Sequence, residues 1–366
     1  MSVLFRVDSG YHIGSGHVMR CLSIGQLLRS HNVDVYFASK QHPGHCMDVI
    51  ADNGFTVLPI GQTETAEPSE STHWCPHAGW LRGTEEDDAN NVQTLLRKNS
   101  LVDSIDWVIV DHFSLTQTWH RLIKQAVDAK VMVIDGLSDR KVDCDILLDP
   151  NLVDDVEKKW SHHIPPYVET FVGPKFFPLR AEFSGLDTKT RAGTIGNLLI
   201  GFGGVDKDNI TTQACRATRR WLDQRHTNCD VNVVIGATHP FKQEIERMCH
   251  HYGFKCWVQT DQIAKLMADA DLAIGAAGTM AWERCKLGLP SIMAVIADNQ
   301  AEQALSLANR NAAISLGAIR ETIENDLFAN LQALDEAPDR VSTMSANAMK
   351  IMEGASEEPL WIKKLI

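Results

Sequence analysis

Residues 3–28 read VLFRVDSGYHIGSGHVMRCLSIGQLL, and their pattern defines the architecture expected for the amino-terminal half. Val3–Val7 is a continuous apolar run that predicts a buried strand, and Ser9–Gly16 is a glycine-bearing loop. Apolar or small residues then recur at helical spacing and predict one buried helix face, at Val18, Cys21, Leu22, Gly25 and Leu28. A strand, a glycine loop and a helix in this order are typical of the start of a doubly wound α/β domain.

The same alternation of apolar strands and helical patterns continues along the chain. In the first half, the further predicted strands are Val33–Ala38, Trp107–Val110, Val131–Ile134 and Cys144–Leu148. In the second half, they are Asn197–Ile200, Val231–Ile235, Phe254–Val258, Leu272–Ile274 and Ser291–Val295. Short, almost wholly apolar strands separated by helices predict parallel sheets that are covered on both faces.

Two consecutive α/β domains are predicted, because the polar segment Ser184–Asn197 has the composition of a linker. We assign residues 1–187 to the first domain, 188–345 to the second and 346–366 to a helical tail. Residues 61–99 differ in character and predict a loop and a surface helix inserted at the edge of the first sheet. Two doubly wound units joined in this way are expected to bind a ligand in the cleft between them.

The composition excludes several function classes. The 366 residues include 35 Lys and Arg against 47 Asp and Glu, and the net charge of −12 argues against a nucleic-acid binder. No apolar run reaches the roughly 20 residues of a membrane span, and the opening MSVLFRVDSG does not resemble a signal peptide. The 9 cysteines are scattered without a CxxC pair, which favours a cytoplasmic protein with reduced thiols. Oligomeric state is not predicted.

The glycine loop of the first half contains the candidate catalytic residue. Gly14 and Gly16 allow close backbone approach to a ligand, but Met19 occupies the third glycine position of the dinucleotide fingerprint. The pattern therefore argues against a nicotinamide enzyme, and no cofactor is predicted. His17 lies in the first helical turn, where the helix dipole disfavours imidazolium, so it is predicted to act as a neutral general base. The alternative is a histidine that only caps or packs the helix.

Further candidates are polar or small residues near strand ends and helix starts. In the first half they are Arg20 of the same helix, the pair Asp111 and His112 at a strand end, and Arg180. In the second half they are Gly203, Gly204, Gly278, Thr279, Glu283, Asn299 and Gln300. Loops of this kind bind phosphate through backbone amides, Thr279 can add a hydroxyl, and Glu283 can accept both ribose hydroxyls. Glu283 could equally be a solvated helix residue, and the two amides could be helix caps.

No metal site is predicted. The clusters His73–His77 and His42–Cys46 contain side chains that can ligate metals. Neither has the spacing of a zinc motif, and no second half-site completes either of them. The first cluster is far in sequence from either proposed phosphate loop, and we expect that replacing Cys75 or His77 would leave the chemistry intact.

Several segments resemble, in collinear order from about residue 3 to about residue 310, the UDP-2,4-diacetamido-2,4,6-trideoxy-β-L-altropyranose hydrolases of the pseudaminic acid pathway, the PseG family. They are Ile13–Leu22, Val110–His112, Asp143–Asp149, Gly173–Arg180, Gly203–Asp206 and Gly275–Gln300. The family is similar to the GT-B glycosyltransferases, including the lipid II N-acetylglucosaminyltransferase. The resemblance implies two Rossmann-like domains with the active site in the interdomain cleft and UDP held mainly by the second domain.

The resemblance also implies roles for particular residues. His17 matches the proposed catalytic base, Asn299 matches an active-site amide, and Glu283 matches the ribose-binding glutamate of related UDP-sugar enzymes. The family often has tyrosine after Asp-His, whereas this chain has Phe113, so a hydroxyl role at that position does not carry over. The activity implied is metal-independent hydrolysis of a UDP-sugar.

The chemistry agrees with this activity, because UDP leaves as a stable anion and the paired carboxylates of glycosidases are not required. One base that deprotonates water and donors for the diphosphate suffice, and direct displacement inverts the anomeric carbon. Two alternatives remain open at this point. They are a GT-B glycosyltransferase that uses a UDP-sugar donor and a catalytically silent nucleotide-sugar binding module.

Overall fold

The computed structural model describes residues 1–62 and 75–366, which form two compact units. The first unit contains Met1–Ala181 together with Ser356–Ile366, and the second contains Glu182–Ala355. The boundary lies six residues before the predicted one, between 181 and 182 instead of 187 and 188. The predicted tail is also divided, because residues up to Ala355 belong to the second unit and Ser356–Ile366 packs in the first.

The first unit is a parallel sheet with helices on its faces. Its strands are Ser2–Val7 (β1), Asp34–Gln41 (β2), Thr56–Gln62 (β3), Trp107–Asp111 (β4), Lys130–Ile134 (β5), Ile146–Asp149 (β6) and Glu169–Val172 (β7). Apart from a short helix near residue 366, its helices are Gly16–Ser30 (α1), Met47–Asp52 (α2), Glu85–Lys98 (α3), Gln117–Ala126 (α4) and Val156–Trp160 (α5). The strand order is β3-β2-β1-β4-β5-β6-β7, and all pairs are parallel. Short 3-10 turns lie at Ala78–Trp80, Pro174–Phe176 and Ala181–Phe183.

The second unit repeats this plan. Its strands are Asn197–Gly201 (β8), Asp230–Ile235 (β9), Lys255–Val258 (β10), Leu272–Ala276 (β11), Ser291–Val295 (β12) and Ala313–Ala318 (β13). Its helices are Ile210–Leu222 (α6), Lys242–Tyr252 (α7), Ile263–Asp269 (α8), Met280–Lys286 (α9), Ala301–Asn309 (α10), Ile323–Asp335 (α11) and Pro338–Ile351 (α12), and a 3-10 turn lies at Asp298–Gln300. The parallel strand order is β10-β9-β8-β11-β12-β13. Helix Ile362–Leu365 (α13) returns to the first unit.

The predicted buried face of α1 is confirmed, since Val18, Cys21, Leu22, Gly25 and Leu28 are all buried. Gly25 permits close packing there, because a Cβ would lie 3.3 Å from the ring of Phe55 and 3.4 Å from that of Phe37. Successive side chains of β1 enter cores on opposite faces, with Val3 and Phe5 in one cluster and Leu4 in the other. A central strand that is buried on both faces explains its continuous apolar sequence.

Strands β3, β7 and β13 were not predicted, and all of them lie at sheet edges. Edge strands are partly exposed and carry mixed sequences, such as ETFV in β7 and AISLGA in β13, so the apolar signal is weak. The expected helix between residues 61 and 99 exists as α3 and comes after the edge strand β3, while residues 63–74 of the expected loop lie outside the described residues. Helix α3 connects β3 to β4 in chain order and buries Ala89, Val92 and Leu96.

The strand order places a switch point beside the central strand of each sheet. Strands β1 and β4 are neighbours. Asp8 directly follows β1 and Asp111 is the last residue of β4, so both lie at the carboxyl ends of adjacent strands. Strands β8 and β11 are likewise neighbours, which brings Gly201 beside Gly275. Ligands of doubly wound sheets bind at such points, where the loops that follow neighbouring strands diverge. In the described part of the chain, no helix is both long and apolar enough to cross a bilayer.

Candidate active site

The glycine loop of the first unit closes on itself before α1 begins. The amide of Gly14 donates to the carbonyl of Gly10 at 2.7 Å, and Gly14 has a φ of +82°, which favours glycine. Helix α1 then starts at Gly16, so His17 lies in its first turn as predicted. This tight turn fixes where the imidazole of His17 enters the site.

The imidazole of His17 is held by a carboxylate. Its Nδ1 lies 2.6 Å from Oδ1 of Asp111, the last residue of β4. Arg20, one turn further along α1, donates from Nε to Oδ2 of Asp111 at 2.8 Å and from a terminal nitrogen to Oδ1 at 2.7 Å. The sequence identified these residues individually as site candidates, and the structure joins them into one group.

The charge state of Asp111 follows from its neighbours. Burial alone would raise the pKa of this carboxyl, but the guanidinium of Arg20 and the imidazole of His17 hold the pKa well below its usual range. An ionised Asp111 accepts a hydrogen bond from the protonated Nδ1 of His17. The lone pair on Nε2 is then the basic position of the imidazole. Within the described residues, Nε2 makes no hydrogen bond to the protein. Asp111 is fully buried and engaged by the protein, so its position is that of an orienting group and not of a substrate ligand.

Aromatic rings surround this histidine. Phe113 packs edge-to-face on His17 with ring centroids 4.7 Å apart, and Trp80 lies 5.9 Å from His17 in a similar arrangement. His77 contacts both rings, at 4.7 Å from Trp80 and 5.5 Å from Phe113. Phe113 therefore supplies packing where the family often has a tyrosine hydroxyl. These rings exclude solvent from one side of the imidazole.

The described part of the cluster His73–His77 lies near the aromatic group around His17. His73 and Trp74 lie outside the described residues, but His77 contacts the aromatic group beside His17. Cys75 also lies close, with its thiol 3.6 Å from the carbonyl of Phe113. Cys75 and His77 therefore lie beside the candidate base, although they are far in sequence from the proposed phosphate loops. Among residues 1–62 and 75–366, no three His, Cys, Asp or Glu side chains are grouped as metal ligands.

His112 turns away from His17 and joins a buried ionic network instead. Its Nε2 lies 3.0 Å from Oδ2 of Asp8, and Nε2 of His42 lies 3.2 Å from the same oxygen. Arg6 binds Asp8 at 2.6 Å and bridges to Asp88 of α3 at 2.8 Å. The side chain of His112 is only 1% exposed, so the predicted substrate contact does not match its position.

This burial gives a testable dependence of stability on pH. Burial lowers the pKa of His112 from 6.5 to about 4 and that of His120 on α4 from 6.5 to about 3. As pH falls from 6.5 towards 4, these histidines become protonated in the unfolded chain but stay neutral in the folded chain. The free energy of unfolding therefore decreases. Each histidine is expected to remove about 2 kcal/mol of unfolding free energy between pH 7 and pH 5. Urea unfolding at several pH values measures this loss.

His120→Gln is expected to reduce this pH dependence by about half, because it removes one of the two imidazoles whose pKa is lowered by burial. The exposed His162 provides the control, and His162→Gln should keep the full dependence. An unchanged slope in His120→Gln would contradict the assignment.

In the second unit, the loop between β11 and α9 is closely packed from behind. A Cβ on Gly275 would lie 2.5 Å from the carbonyl oxygen of Gly201 and 2.9 Å from a guanidinium nitrogen of Arg284. Arg284 is buried and donates to the carbonyl of Ala276 at 2.7 Å. Burial lowers the pKa of Arg284 to about 10, which leaves the guanidinium charged at neutral pH. A buried positive charge therefore lies behind this loop.

The predicted nucleotide-binding residues of the second unit are distributed over three loops. Gly278 and Thr279 precede α9, and Gln300 approaches the same loop, since a Cβ on Gly278 would lie 3.5 Å from its amide nitrogen. Gln300 also accepts from the backbone of Ile296 at 3.2 Å, so part of this amide stabilises its own turn. Asn299 is half-buried on that turn, whereas Glu283 is buried within α9.

The third loop follows β8 and contains Gly203 and Gly204. Gly203 is exposed with a φ of +93°, and Gly204 lies so close to Gly236 that a Cβ on the latter would clash with its backbone. Asp206 then accepts from the amides of Ile210 and Thr211 at 3.1 and 2.8 Å. This carboxylate therefore caps α6. Arg180, at the end of the first unit, is half-buried after the turn Pro174–Phe176.

Trp80 and His77 are the site residues that the sequence analysis missed. They lie in WCPHAGWLRG, whose histidine and cysteine were considered only as metal ligands. The useful signal was the concentration of aromatic residues in an otherwise polar segment, because exposed tryptophans in loops commonly mark binding surfaces. Their approach to His17 depends on tertiary structure.

Known proteins resemble this chain at the level of both domain sequence and full-length sequence. Residues 199–358 match the model of the glycosyltransferase family 28 C-terminal domain. The chain is 22% identical over 281 residues to the UDP-2,4-diacetamido-2,4,6-trideoxy-β-L-altropyranose hydrolase of Campylobacter jejuni, covering 76% of this chain and 86% of that protein. It is also 22% identical over 301 residues to an uncharacterized protein of Methanocaldococcus jannaschii and over 215 residues to the Bacillus subtilis spore coat polysaccharide biosynthesis protein SpsG. These alignments cover 80% and 58% of this chain, but only 55% and 62% of the two relatives.

Solved structures resemble the whole chain. MurG of Acinetobacter baumannii aligns with a TM-score of 0.60 at 12% identity, covering 100% of this chain and 98% of that one. The spinosyn rhamnosyltransferase SpnG, complexed with thymidine diphosphate, aligns with a TM-score of 0.64 at 15% identity, covering 100% of both chains. With the two parallel sheets, these likenesses confirm the predicted GT-B-like fold of two Rossmann-like domains.

Proposed function

We propose that this protein hydrolyses a UDP-linked 2,4-diacetamido-2,4,6-trideoxyhexose to the free sugar and UDP, in pseudaminic acid biosynthesis. The observation that carries the proposal is the imidazole of His17, oriented through Nδ1 by an ionised Asp111 with Nε2 left unengaged by the protein. The likeness to the Campylobacter jejuni hydrolase supports the choice of substrate. The nine free thiols agree with a cytoplasmic reaction.

In the proposed reaction, Nε2 of His17 takes a proton from a water molecule. The water oxygen bonds to the anomeric carbon as the bond from that carbon to the diphosphate oxygen breaks, and UDP leaves with the electron pair. Attack on the face opposite UDP inverts the anomeric configuration. Asp111 stabilises the imidazolium that forms, and Arg20 fixes Asp111 by donating a hydrogen bond to each of its two carboxylate oxygens.

We assign UDP binding to the loops of the second unit. The amides of Gly278 and Thr279, the hydroxyl of Thr279 and the amides of Asn299 and Gln300 meet the diphosphate, and Glu283 accepts from the ribose. The buried charge of Arg284 behind the loop adds a favourable potential for an anion. Gly203 and Gly204 leave space for the substrate on the neighbouring loop.

A glycosyltransferase is the second candidate, because residues 199–358 match a glycosyltransferase domain and the structural likenesses include glycosyltransferases. In that case the same base would deprotonate an acceptor hydroxyl instead of water. A silent binding module would lack turnover altogether. The test is incubation of the protein with UDP-2,4-diacetamido-2,4,6-trideoxy-β-L-altropyranose without an acceptor. Equal amounts of UDP and free sugar are expected, whereas dependence on an added acceptor, or no turnover, would overturn the proposal.

Activity is expected to survive excess EDTA. The proposed phosphate loop Gly275–Met280 contains no acidic residue, and Asp206, the carboxylate on the adjacent loop, already caps α6. Backbone amides and neutral side chains then meet the diphosphate charge without a divalent ion. UDP release is measured with EDTA and with added Mg²⁺ or Mn²⁺. A large loss of turnover that one divalent ion restores would contradict this mechanism.

A further inference from the structure

The indole of Trp80 is a feature beside His17 that the proposed mechanism leaves unused. It lies on the 3-10 turn Ala78–Trp80, and its side chain is half-exposed. Its ring centroid is 5.9 Å from that of His17 with an interplanar angle of 80°, and 5.8 Å from that of Phe113. Among the described residues the indole is only partly buried, so some of its apolar surface next to the candidate base is accessible.

The indole is held in position by a chain of contacts. The ring of His77 packs on it at 4.7 Å and 71°, and Nδ1 of His77 lies 3.6 Å from a carboxylate oxygen of Asp139. Arg140 binds Asp139 at 2.9 Å, and its guanidinium lies over Phe113 at 5.6 Å. A surface fixed in this way loses little side-chain entropy when a ligand covers it.

The distance from the base limits what can cover this surface. A general base reaches its water at about 3 Å, and the water reaches the reacting carbon at about 3 Å. The anomeric carbon is therefore expected within about 6 Å of Nε2, which places the sugar at a range similar to that of the indole. The C–H groups of a sugar ring carry partial positive charge and bind favourably to the negative face of an aromatic ring.

We propose that Trp80 is a specificity-determining residue whose indole stacks on the C–H face of the substrate sugar. This inference rests on the proposed function, because it assigns His17 as the base that acts at the anomeric carbon. Trp80 then contributes to binding of the sugar and not of the nucleotide. Phe113 and His77 act as positioning residues that hold the indole.

The experiment compares two ligands by calorimetry on the full-length chain, UDP and UDP-N-acetylglucosamine. Trp80→Leu is expected to weaken UDP-N-acetylglucosamine about tenfold while UDP stays within about twofold. Trp80→Phe should restore most of the affinity, since a smaller aromatic face remains. With the hydrolysed substrate, Trp80→Leu should raise KM with little change in kcat.

Tyr167 provides the control, because its ring is 60% exposed and contacts Asp143, outside the His17 group. Tyr167→Leu should leave both affinities unchanged. An unchanged affinity of Trp80→Leu for UDP-N-acetylglucosamine, or an equal loss for both ligands, would overturn the role of Trp80. Absence of hydrolysis by the unmodified protein would instead overturn the proposed function, and the calorimetric comparison would still decide the role of Trp80.

Discussion

Replacing His17 by Gln is expected to lower kcat by about 10²–10⁴-fold, the usual contribution of a general base. Glutamine keeps a polar side chain of comparable length near Asp111 but cannot accept a proton at neutral pH. The loss should appear in kcat, because the water is activated after the substrate has bound. Turnover is measured by UDP release, and the affinity for UDP is measured separately by calorimetry.

The affinity for UDP should be unchanged in His17→Gln, since UDP binding is assigned to the second unit. His12 offers a matched control, because it is an exposed histidine of the same glycine loop. His12→Gln should retain normal turnover. Near-normal turnover of His17→Gln, or an equal loss in both variants, would show that His17 is not the base.

The second large effect concerns folding. Arg6→Met is expected to lower the free energy of unfolding by about 3–5 kcal/mol, because it removes one partner of a buried ionic network. Arg6, Asp8 and Asp88 have no exposed side-chain surface. Without the guanidinium, Asp8 loses its buried cationic partner, and Asp88 retains Lys40 at 3.1 Å and the indole nitrogen of Trp119 at 2.9 Å. Urea unfolding at pH 7 measures the effect.

An exposed arginine of α3, Arg97, provides the comparison. Arg97→Met should change the free energy of unfolding by no more than about 0.5 kcal/mol. If Arg6→Met lost no more than Arg97→Met, the network would make no net contribution to folding. Its position between β1 and α3 would then need another explanation.

The sequence predicts the central strands and the candidate base for a common reason. Both depend on local pattern, because a strand buried on both faces is apolar throughout and His17 lies between two glycines and a helix. The edge strands β3, β7 and β13 escape the same analysis, since solvent on one side permits a mixed sequence. Burial on both faces therefore makes a strand easier to predict, although the edge strand β10 was also predicted from its apolar residues.

Contacts within the candidate site depend on tertiary structure. Asp111 lies 94 residues from His17, and their contact requires β4 to pair with β1 across the switch point. His112 follows Asp111 directly, yet its side chain enters the network of Asp8 instead. Trp80, 63 residues from His17 in the chain, lies 5.9 Å from it on the turn before α3, and Asp88 of that helix binds Arg6 of β1. No local pattern encodes such distances.

The return of the chain to the first unit has a consequence for how the protein folds during translation. Trp361, Ile362 and Leu365 are buried in the same cluster as Val3 and Phe5 of β1, and the indole nitrogen of Trp361 donates to the carbonyl of Phe176 at 2.9 Å. Domains usually fold in the order in which the ribosome releases them. Here the first unit lacks part of its core until the segment after Ala355 has been translated. Its folding therefore cannot be completed before the second unit has been synthesised. A nascent chain stopped at Ala355 would thus expose apolar surface of its first unit, to which chaperones could bind.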